Sequence, residues 1–219
     1  MTLNMLNENL DFILNGLTQI FFSGGIHVPA INRLLLFCLA RIIDAKIIIE
    51  TGYDAGYTTE ALALTGAQIV GLDNLSEYPG AETIAQPKLE KYSNITLLHD
   101  DALEYLKSRE ADSIDLIFID DDHSEDHVRN EILEARRIVR AGGIIVLHDI
   151  FMIPHIKIHA DRILHGFDKI LIPNISPVTN VTVPALMGNC GMGIYMKPLN
   201  RPMIEEIEWP TPRRAMSPA

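Results

Sequence analysis

Two short clusters of acidic and histidine side chains are the parts of the sequence that could do chemistry. Residues 120–123 read DDDH, which ends in His123, and His148-Asp149 follow at some distance along the chain. Adjacent carboxylates such as those from Asp120 onward repel one another unless water or a cation neutralises them. Mixed nitrogen and oxygen ligands suit Mg²⁺, Mn²⁺ or another first-row divalent ion. The clusters therefore indicate a divalent metal site, provided that the fold brings them together.

A second group of residues has the character of a ligand-binding turn. Residues 50–59 read ETGYDAGYTT, and glycines at 52 and 56 let a ligand approach the backbone before a helix begins. The two glycines are four residues apart, so this is not the GxGxxG dinucleotide fingerprint. Asp73 follows about 20 residues later, where a carboxylate can accept hydrogen bonds from both hydroxyls of a ribose. Asp101, after the next predicted strand, is placed where it could bind an adenine amino group.

Alternating short apolar runs and helical patterns must position these residues. From Lys46 onward this alternation predicts parallel strands joined by crossover helices. The predicted strands are residues 46–50, 68–73, 94–99, 114–120 and 143–149, followed by 169–173 and 193–197, which could form an antiparallel pair. Residues 124–140 are predicted to form an amphipathic helix. Ligands bind at the carboxyl ends of such strands, which is where both groups of residues stand.

We therefore predict an α/β fold, Rossmann-like, with a seven-stranded, mostly parallel sheet, an antiparallel last strand and helices on both faces. Extra N-terminal helices at residues 10–22 and 31–43 would form a helical cap or interface segment, residues 1–45. Residues 46–200 would be a single cofactor-binding domain. Residues 201–219, which are rich in proline and arginine, are interpreted as a C-terminal tail.

The composition restricts the classes of partner and compartment. A formal net charge of −11 disfavours binding to phosphate backbones, so we expect no nucleic-acid partner. Cys38 and Cys190 are the two cysteines, and neither a disulfide framework nor a thiolate metal site is indicated. The chain shows no signal-peptide pattern and no apolar run long enough to cross a bilayer. We expect a cytoplasmic protein that acts on a small molecule.

The ordered set of the ExGxxxGxT turn, Asp73 and Asp101-Ala102 resembles the class I S-adenosylmethionine-dependent methyltransferases. This resemblance implies cofactor-binding roles for seven residues: Glu50, Gly52, Gly56, Thr58, Asp73, Asp101 and Asp120. By that resemblance, the turn lines the methionine and ribose side, with Thr58 near the carboxylate of the amino acid. Asp73 holds the ribose and Asp101 holds the adenine amino group. The cofactor implied is S-adenosylmethionine.

The acidic clusters resemble those of metal-dependent small-molecule O-methyltransferases, in particular the macrocin and mycinamicin sugar O-methyltransferases, where IDGDH and a later GGxxxxHD are typical. The matching segments here are IDDDH at residues 119–123 and GGIIVLHD at residues 142–149. The resemblance implies that Asp120, His148 and Asp149 hold the metal and that His123 is the base. Catechol-type relatives use carboxylate and amide oxygens at the last two positions, which leaves His148 the least secure ligand. Asp121 departs from the pattern because relatives carry a small residue there.

The implied reaction is metal-assisted methyl transfer to a hydroxyl group. Mg²⁺, with Mn²⁺ or another first-row ion as the alternative, would lower the pKa of the acceptor hydroxyl, and His123 would remove its proton. The acceptor would be a natural product such as a sugar, a vicinal diol or a catechol. Three alternatives stay open: a metal-independent methyltransferase of the same fold, acting on N, O or C; a nucleotide-binding oxidoreductase; and, if neither cofactor binds, a non-catalytic methyltransferase-like partner protein. A homodimer through the N-terminal helices is also expected of this type of enzyme.

The remaining histidines near the clusters receive a structural interpretation. His127 is predicted to be a surface residue rather than a second ligand. His155, His159 and His165 are predicted to lie on a solvated helix face.

Overall fold

Helices and strands alternate along the chain in the computed structural model, which describes Thr18 and residues 28–75, 79–173 and 190–199. The helices in this part of the chain are α1 (Ala30–Ile42), α2 (Tyr57–Ala63), α3 (Glu82–Leu89), α4 (Ala102–Ser108), α5 (Glu125–Ile138) and α6 (Pro154–Ile163). The strands are β1 (Ile47–Thr51), β2 (Gln68–Leu72), β3 (Ile95–Leu98), β4 (Ile114–Ile119), β5 (Val139–His148), β6 (Asp168–Ile172) and β7 (Met192–Met196). The tail at 201–219 and, apart from Thr18, the predicted helix at 10–22 lie outside the described residues.

The seven described strands form one sheet in the order β3-β2-β1-β4-β5-β7-β6. Strands β1 to β5 pair in parallel, whereas β7 runs antiparallel to both β5 and β6. The predicted fold class is thus confirmed, including the antiparallel last strand. The strand order reverses between β1 and β4, and such a reversal opens the crevice in which open α/β sheets bind ligands.

The central strand β4 shows why the sheet is covered on both faces. All six of its residues are buried, because its side chains point alternately to the two faces of the sheet and helices cover both faces. Leu116 and Phe118 pack with apolar residues of α1 and α2 on one face. Ile117 and Ile119 pack with α4, α5 and α6 on the other face. The strand is therefore apolar at every position except Asp115.

A buried carboxylate aligns the amino ends of three strands. Asp115 Oδ2 accepts hydrogen bonds from the backbone N–H groups of Lys46 and Ile47, both at 2.8 Å, and Asp115 Oδ1 pairs with Arg140 Nε. Burial alone would raise the pKa of Asp115, but the Arg140 guanidinium and the two backbone donors outweigh it and lower that pKa. This contact sets β1, β4 and β5 side by side, so that their carboxyl ends emerge together.

Helix α5 is shorter than the sequence pattern suggests. It begins after Ser124, whose backbone is extended, and ends before Val139, which is already extended and starts β5. The helix predicted at 124–140 therefore extended two residues too far at its C-terminal end, and the strand predicted at 143–149 started four residues after the observed strand begins. The β-branched Val139 packs as a fully buried residue opposite Ile114 of β4, and this tertiary contact decides its conformation over the helical pattern.

The described part of the chain contains no helix that is both long enough and apolar enough to cross a bilayer.

Shortening one buried and one exposed side chain of α5 tests which face of this helix packs against the core. Ile132 is fully buried, while the next residue, Leu133, is 42% exposed. We expect Ile132→Ala to lower the free energy of unfolding by about 2–5 kcal/mol through lost burial and a residual cavity. Leu133→Ala, the matched control on the same helix, should change it by about 0.5 kcal/mol or less. Urea denaturation measures both, and equal losses would contradict the assignment of the buried face.

Candidate functional site

The carboxyl ends of β4 and β5 bring the two acidic clusters together. Asp120 follows β4 directly, and His148 is the last residue of β5. The backbone turns sharply after His148, since Asp149 has a φ of 55° and its carbonyl oxygen accepts the N–H groups of Met152 and Ile153. The turn ends the strand and directs the Asp149 side chain back toward β4.

Four side chains converge at this point. His148 Nδ1 lies 3.1 Å from Asp120 Oδ1 and 3.2 Å from Asp149 Oδ1. His123 Nε2 lies 3.3 Å from Asp149 Oδ2 and 3.7 Å from Asp120 Oδ1. The four residues singled out from the sequence as metal ligands and base thus form one cluster, which we call the strand-end cluster.

The charges of the strand-end cluster are strongly coupled. Asp120 and Asp149 raise the pKa of His123 to about 10, because their carboxylates lie beside its ring. Burial opposes a charge on His148, but Asp120 outweighs it and raises the pKa of His148 to about 10. Burial would raise the pKa of Asp149, yet both rings hold that pKa below its usual range. Without a cation, the two imidazoles therefore carry protons at neutral pH and offset the two carboxylates.

Three members of the strand-end cluster are also spaced as metal ligands. One ligand atom each from Asp120, His148 and Asp149 lies within 4.8 Å of the other two. Asp149 Oδ1 is buried and accepts no hydrogen bond of acceptable geometry within the described part of the chain. A buried carboxylate oxygen without such a partner is costly, and a cation would satisfy it. The residues present therefore fit a divalent ion bound by mixed nitrogen and oxygen ligands.

Helix α6 supports the loop that carries the predicted base. His155 Nε2–H donates a hydrogen bond to the carbonyl oxygen of His123 at 2.8 Å, and His159 Nε2–H donates to Glu125 Oε1 at 3.1 Å. The prediction that His155 and His159 lie on a solvated face was therefore wrong. Helix α6 packs against α5, and these two rings contact the loop before α5 and the first residue of that helix. His165 is exposed, as expected. Residues 155 and 159 are four apart and so share a helix face, but this spacing does not show whether that face packs against the rest of the chain.

His127 is also not the surface residue that was predicted. Its Nε2 lies 3.6 Å from Asp121 Oδ2 and 3.8 Å from Glu131 Oε2. Burial raises the pKa of Glu131 to about 8, and nearby Asp121 adds to the rise. The reason for the error is that α5 turns this residue toward the end of β4. Glu131 was not singled out from the sequence, although its spacing of four from His127 on one helix was visible there.

The glycine turn after β1 is packed directly against the end of β4. Gly52 has a φ of 77°, and a Cβ on it would lie 2.0 Å from the carbonyl oxygen of Asp120. Gly56, with a φ of 73°, directly precedes α2, and a Cβ there would meet the Leu89 side chain at 2.7 Å. Both glycines are therefore required by backbone conformation and close packing. Glu50, at the end of β1, is fully buried, and burial raises its pKa to about 8.

The other residues predicted to bind the cofactor lie at the same edge of the sheet or beside it. Asp73 Oδ2 accepts the N–H of Asp54 at 2.8 Å, and Asp73 Oδ1 accepts the N–H of Leu75 at 2.7 Å. Thr58 is buried in the first turn of α2. Asp101 is exposed and caps α4 by accepting the N–H of Glu104 at 3.1 Å. Asp73 thus links the turn after β1 to the loop after β2, and its remaining lone pairs are available to a ligand.

Comparison with known proteins gives this geometry a family context. Residues 49–150 match the model of a family described as a methyltransferase domain. A candidate O-methyltransferase of Mycobacterium sp. (strain JLS) is 33% identical over 131 residues, which are 58% of this chain and 58% of that protein. The chain therefore spans just over half the length of the curated relatives that it matches.

Solved structures share the fold over most of the chain. A candidate O-methyltransferase from Klebsiella pneumoniae has a TM-score of 0.64 and is 20% identical, with 86% of this chain and 89% of that chain covered. The O-methyltransferase TomG from Streptomyces achromogenes, involved in tomaymycin synthesis and solved with S-adenosylmethionine, has a TM-score of 0.63 and 17% identity. That alignment covers 84% of this chain and 89% of TomG. These similarities show that the chain shares its fold with methyltransferases of known structure.

Two glycines of the same conformation allow a test of the turn at Gly52. Gly66 has a φ of 82° and nothing within 4 Å of the position that a Cβ would occupy, whereas a Cβ at Gly52 meets the backbone of Asp120. We expect Gly66→Ala to cost about 1–2 kcal/mol of unfolding free energy from the left-handed conformation alone. Gly52→Ala should add about 1–3 kcal/mol from overpacking. Denaturant unfolding of both variants measures the difference, and equal costs would contradict the close contact with β4.

Proposed function

We propose that this chain, whose residues 49–150 match the model of a methyltransferase domain and whose fold is shared with solved methyltransferases, is an S-adenosylmethionine-dependent O-methyltransferase. It would act on a hydroxyl of a small molecule, with a divalent cation held by Asp120, His148 and Asp149 and with His123 as the general base. The observation that carries this proposal is the convergence of two carboxylates and two imidazoles at the ends of β4 and β5. The turn at Gly52 packs against this same edge.

The cofactor is assigned to the edge of the sheet formed by β1, β2, β3 and β4. S-adenosylmethionine supplies an electrophilic methyl group on a sulfonium, and the transfer leaves S-adenosylhomocysteine. The residues proposed to bind it are Glu50, Gly52, Gly56, Thr58, Asp73, Asp101 and Asp120. Asp73 supports this role best, because its carboxylate is already fixed by the N–H groups of Asp54 and Leu75. A carboxylate held in this way can accept hydrogen bonds from ribose hydroxyls without further ordering.

A cation would be held by Asp120, His148 and Asp149, whose ligand atoms are close enough to share one ion. When bound, Mg²⁺ or a first-row ion such as Mn²⁺ acts as a Lewis acid that lowers the pKa of an acceptor hydroxyl. The buried Asp149 Oδ1, which lacks a hydrogen bond within the described residues, supports this assignment. Acceptors with two neighbouring oxygens, such as a catechol, a vicinal diol or a sugar of a natural product, suit a chelating site of this kind.

His123 is placed to move the proton of the acceptor. Asp149 Oδ2 lies 3.3 Å from His123 Nε2 and orients the His123 ring. His155 donates a hydrogen bond to the carbonyl oxygen of His123 and so fixes the backbone there. The ring therefore has a defined position at the mouth of the strand-end cluster, with about a third of its side chain exposed. In the absence of a cation, Asp120 and Asp149 keep His123 protonated. A cation bound to these two carboxylates would lower the pKa of His123, and the neutral imidazole could then accept a proton from a hydroxyl and pass it to water.

A metal-independent methyltransferase remains the second candidate, and one observation favours it. His123 and His148 carry protons beside the two carboxylates, so the strand-end cluster can be neutral overall without any cation. In that case the cluster would position the acceptor by hydrogen bonds alone.

Substitutions of His123 and Asp73 test the roles proposed for these two residues. We expect His123→Ala to lower turnover by about 10²–10⁴-fold, the usual contribution of a general base, with unchanged affinity for S-adenosylhomocysteine. Asp73→Ala should weaken S-adenosylhomocysteine binding by about 10–100-fold, because charge-assisted hydrogen bonds contribute about 1.5–3 kcal/mol each. Calorimetry with S-adenosylhomocysteine and NAD measures binding, and S-adenosylhomocysteine release from a panel of catechols, diols and glycosides measures turnover. The exposed His165→Ala is the control. Equal loss of cofactor affinity in both variants would contradict this division.

Removal of the metal separates the two candidate functions. We expect EDTA to abolish methyl transfer in the wild-type protein and added Mg²⁺ or Mn²⁺ to restore it, because the cation activates the acceptor hydroxyl. Asp149→Asn should show the same loss without restoration. Activity that EDTA leaves unchanged would favour the metal-independent enzyme and reject the metal assignment.

A further inference from the structure

We propose that Asp121, His127 and Glu131 form a second cation site that takes a first-row divalent ion such as Zn²⁺. These three residues, which we call the α5 cluster, share no member with the strand-end cluster. They hold α5 against the loop that follows β4. The inference rests on their own geometry and stands independently of the proposed methyl transfer.

The spacing of the ligand atoms matches that around a small ion. His127 Nε2 is 3.6 Å from Asp121 Oδ2 and 3.8 Å from Glu131 Oε2, and all three ligand atoms lie within 4.8 Å of one another. Two ligand atoms that are each about 2.0–2.2 Å from a tetrahedral zinc ion are about 3.3–3.6 Å apart. The two distances from His127 are therefore within a few tenths of an ångström of the spacing around zinc, and the third pair of ligand atoms lies within 4.8 Å.

The carboxylate of Glu131 requires a partner that the described residues do not provide. Its side chain is fully buried, and its oxygens make no hydrogen bond of normal geometry within the described ranges. The nearby Thr51 hydroxyl lowers the pKa of Glu131, but by less than burial raises it. His127 Nε2, which faces it, likewise makes no hydrogen bond with that part of the protein. An ionised carboxylate buried without hydrogen bonds is strongly unfavourable, so Glu131 keeps its proton at neutral pH unless a cation takes the place of that proton. A shared cation would satisfy both side chains at once.

The architecture fixes the three ligands before any ion binds. His127 and Glu131 are one helical turn apart on α5, so both reach the same side of that helix. Asp121 approaches from the loop after β4, and its side chain is only 10% exposed. One imidazole and two carboxylates are a donor set that suits zinc and other first-row ions.

Zinc binding to the full-length, metal-free chain tests this inference. We expect a variant that lacks the strand-end ligands, Asp120→Asn with Asp149→Asn, to bind one Zn²⁺ by calorimetry. Adding His127→Gln, or Glu131→Gln, should remove that equivalent or weaken it at least tenfold. Adding the matched change His165→Gln, in an exposed histidine, should leave it in place. Circular dichroism reports whether each variant is folded.

The variants overturn the inference if the folded His127→Gln and His165→Gln proteins bind Zn²⁺ with the same stoichiometry and affinity. A measurement without substitutions supports the same decision: a zinc-soaked crystal of the wild-type chain should show an anomalous peak between Asp121, His127 and Glu131. Ordered density for these side chains without such a peak would reject the site. Because zinc binding is measured in a variant without the strand-end ligands, failure of the α5 cluster is distinguishable from failure of the proposed methyl transfer.

Discussion

The contact between the turn after β1 and the end of β4 fixes the position of the site residues that follow β1, β2 and β4. The N–H of Asp120 donates to the carbonyl oxygen of Thr51 at 3.0 Å, and Gly52 lies so close to Asp120 that no side chain fits between them. The N–H of Gly52 also donates to the carbonyl oxygen of Leu72 at 2.7 Å. One turn thus fixes the ends of β1, β2 and β4 relative to one another. The residues assigned to the cofactor and those assigned to the metal face each other across it.

Carboxyl groups are concentrated around this turn. Glu50 and Glu131 are fully buried, and burial raises the pKa of each to about 8, so both are mostly protonated at neutral pH until a cation binds nearby. Asp120 and Asp149 stay ionised because imidazoles lie beside them. A low local dielectric makes every such pair stronger than it would be in water and every unpaired carboxylate more costly. Under the proposed function, the groups that enter this region are cationic, namely a sulfonium and a metal ion, so the charge balance of the site suits its proposed ligands.

The sequence predicted the architecture well because a parallel sheet covered on both faces leaves a simple pattern. Apolar runs such as residues 114–119 can be recognised as strands. Because parallel strands end at the same edge of the sheet, the residues that follow them are expected to lie together there. The convergence of Asp120, His123, His148 and Asp149 could be predicted for the same reason. The environments of His127, His155 and His159 could not, because they depend on how far α5 and α6 rotate about their axes when they pack. The end of α5 was also missed, since a strand contact at Val139 overrides a helical pattern that continues past it.

The position of β7 between β5 and β6 has a consequence for how the chain reaches its native state. Strand β5 pairs with β4 on one side, but its other side is completed by residues 192–196, more than forty residues later in the chain. Until that segment has been synthesised, β5 presents an open edge whose residues from 143 to 148 are fully apolar apart from its first and last members. Exposed apolar edges invite pairing between chains, and contacts between distant segments form slowly. Nascent or truncated chains that end before β7 should therefore aggregate. Strand β7 covers the edge of β5 and so prevents this edge from pairing with another chain.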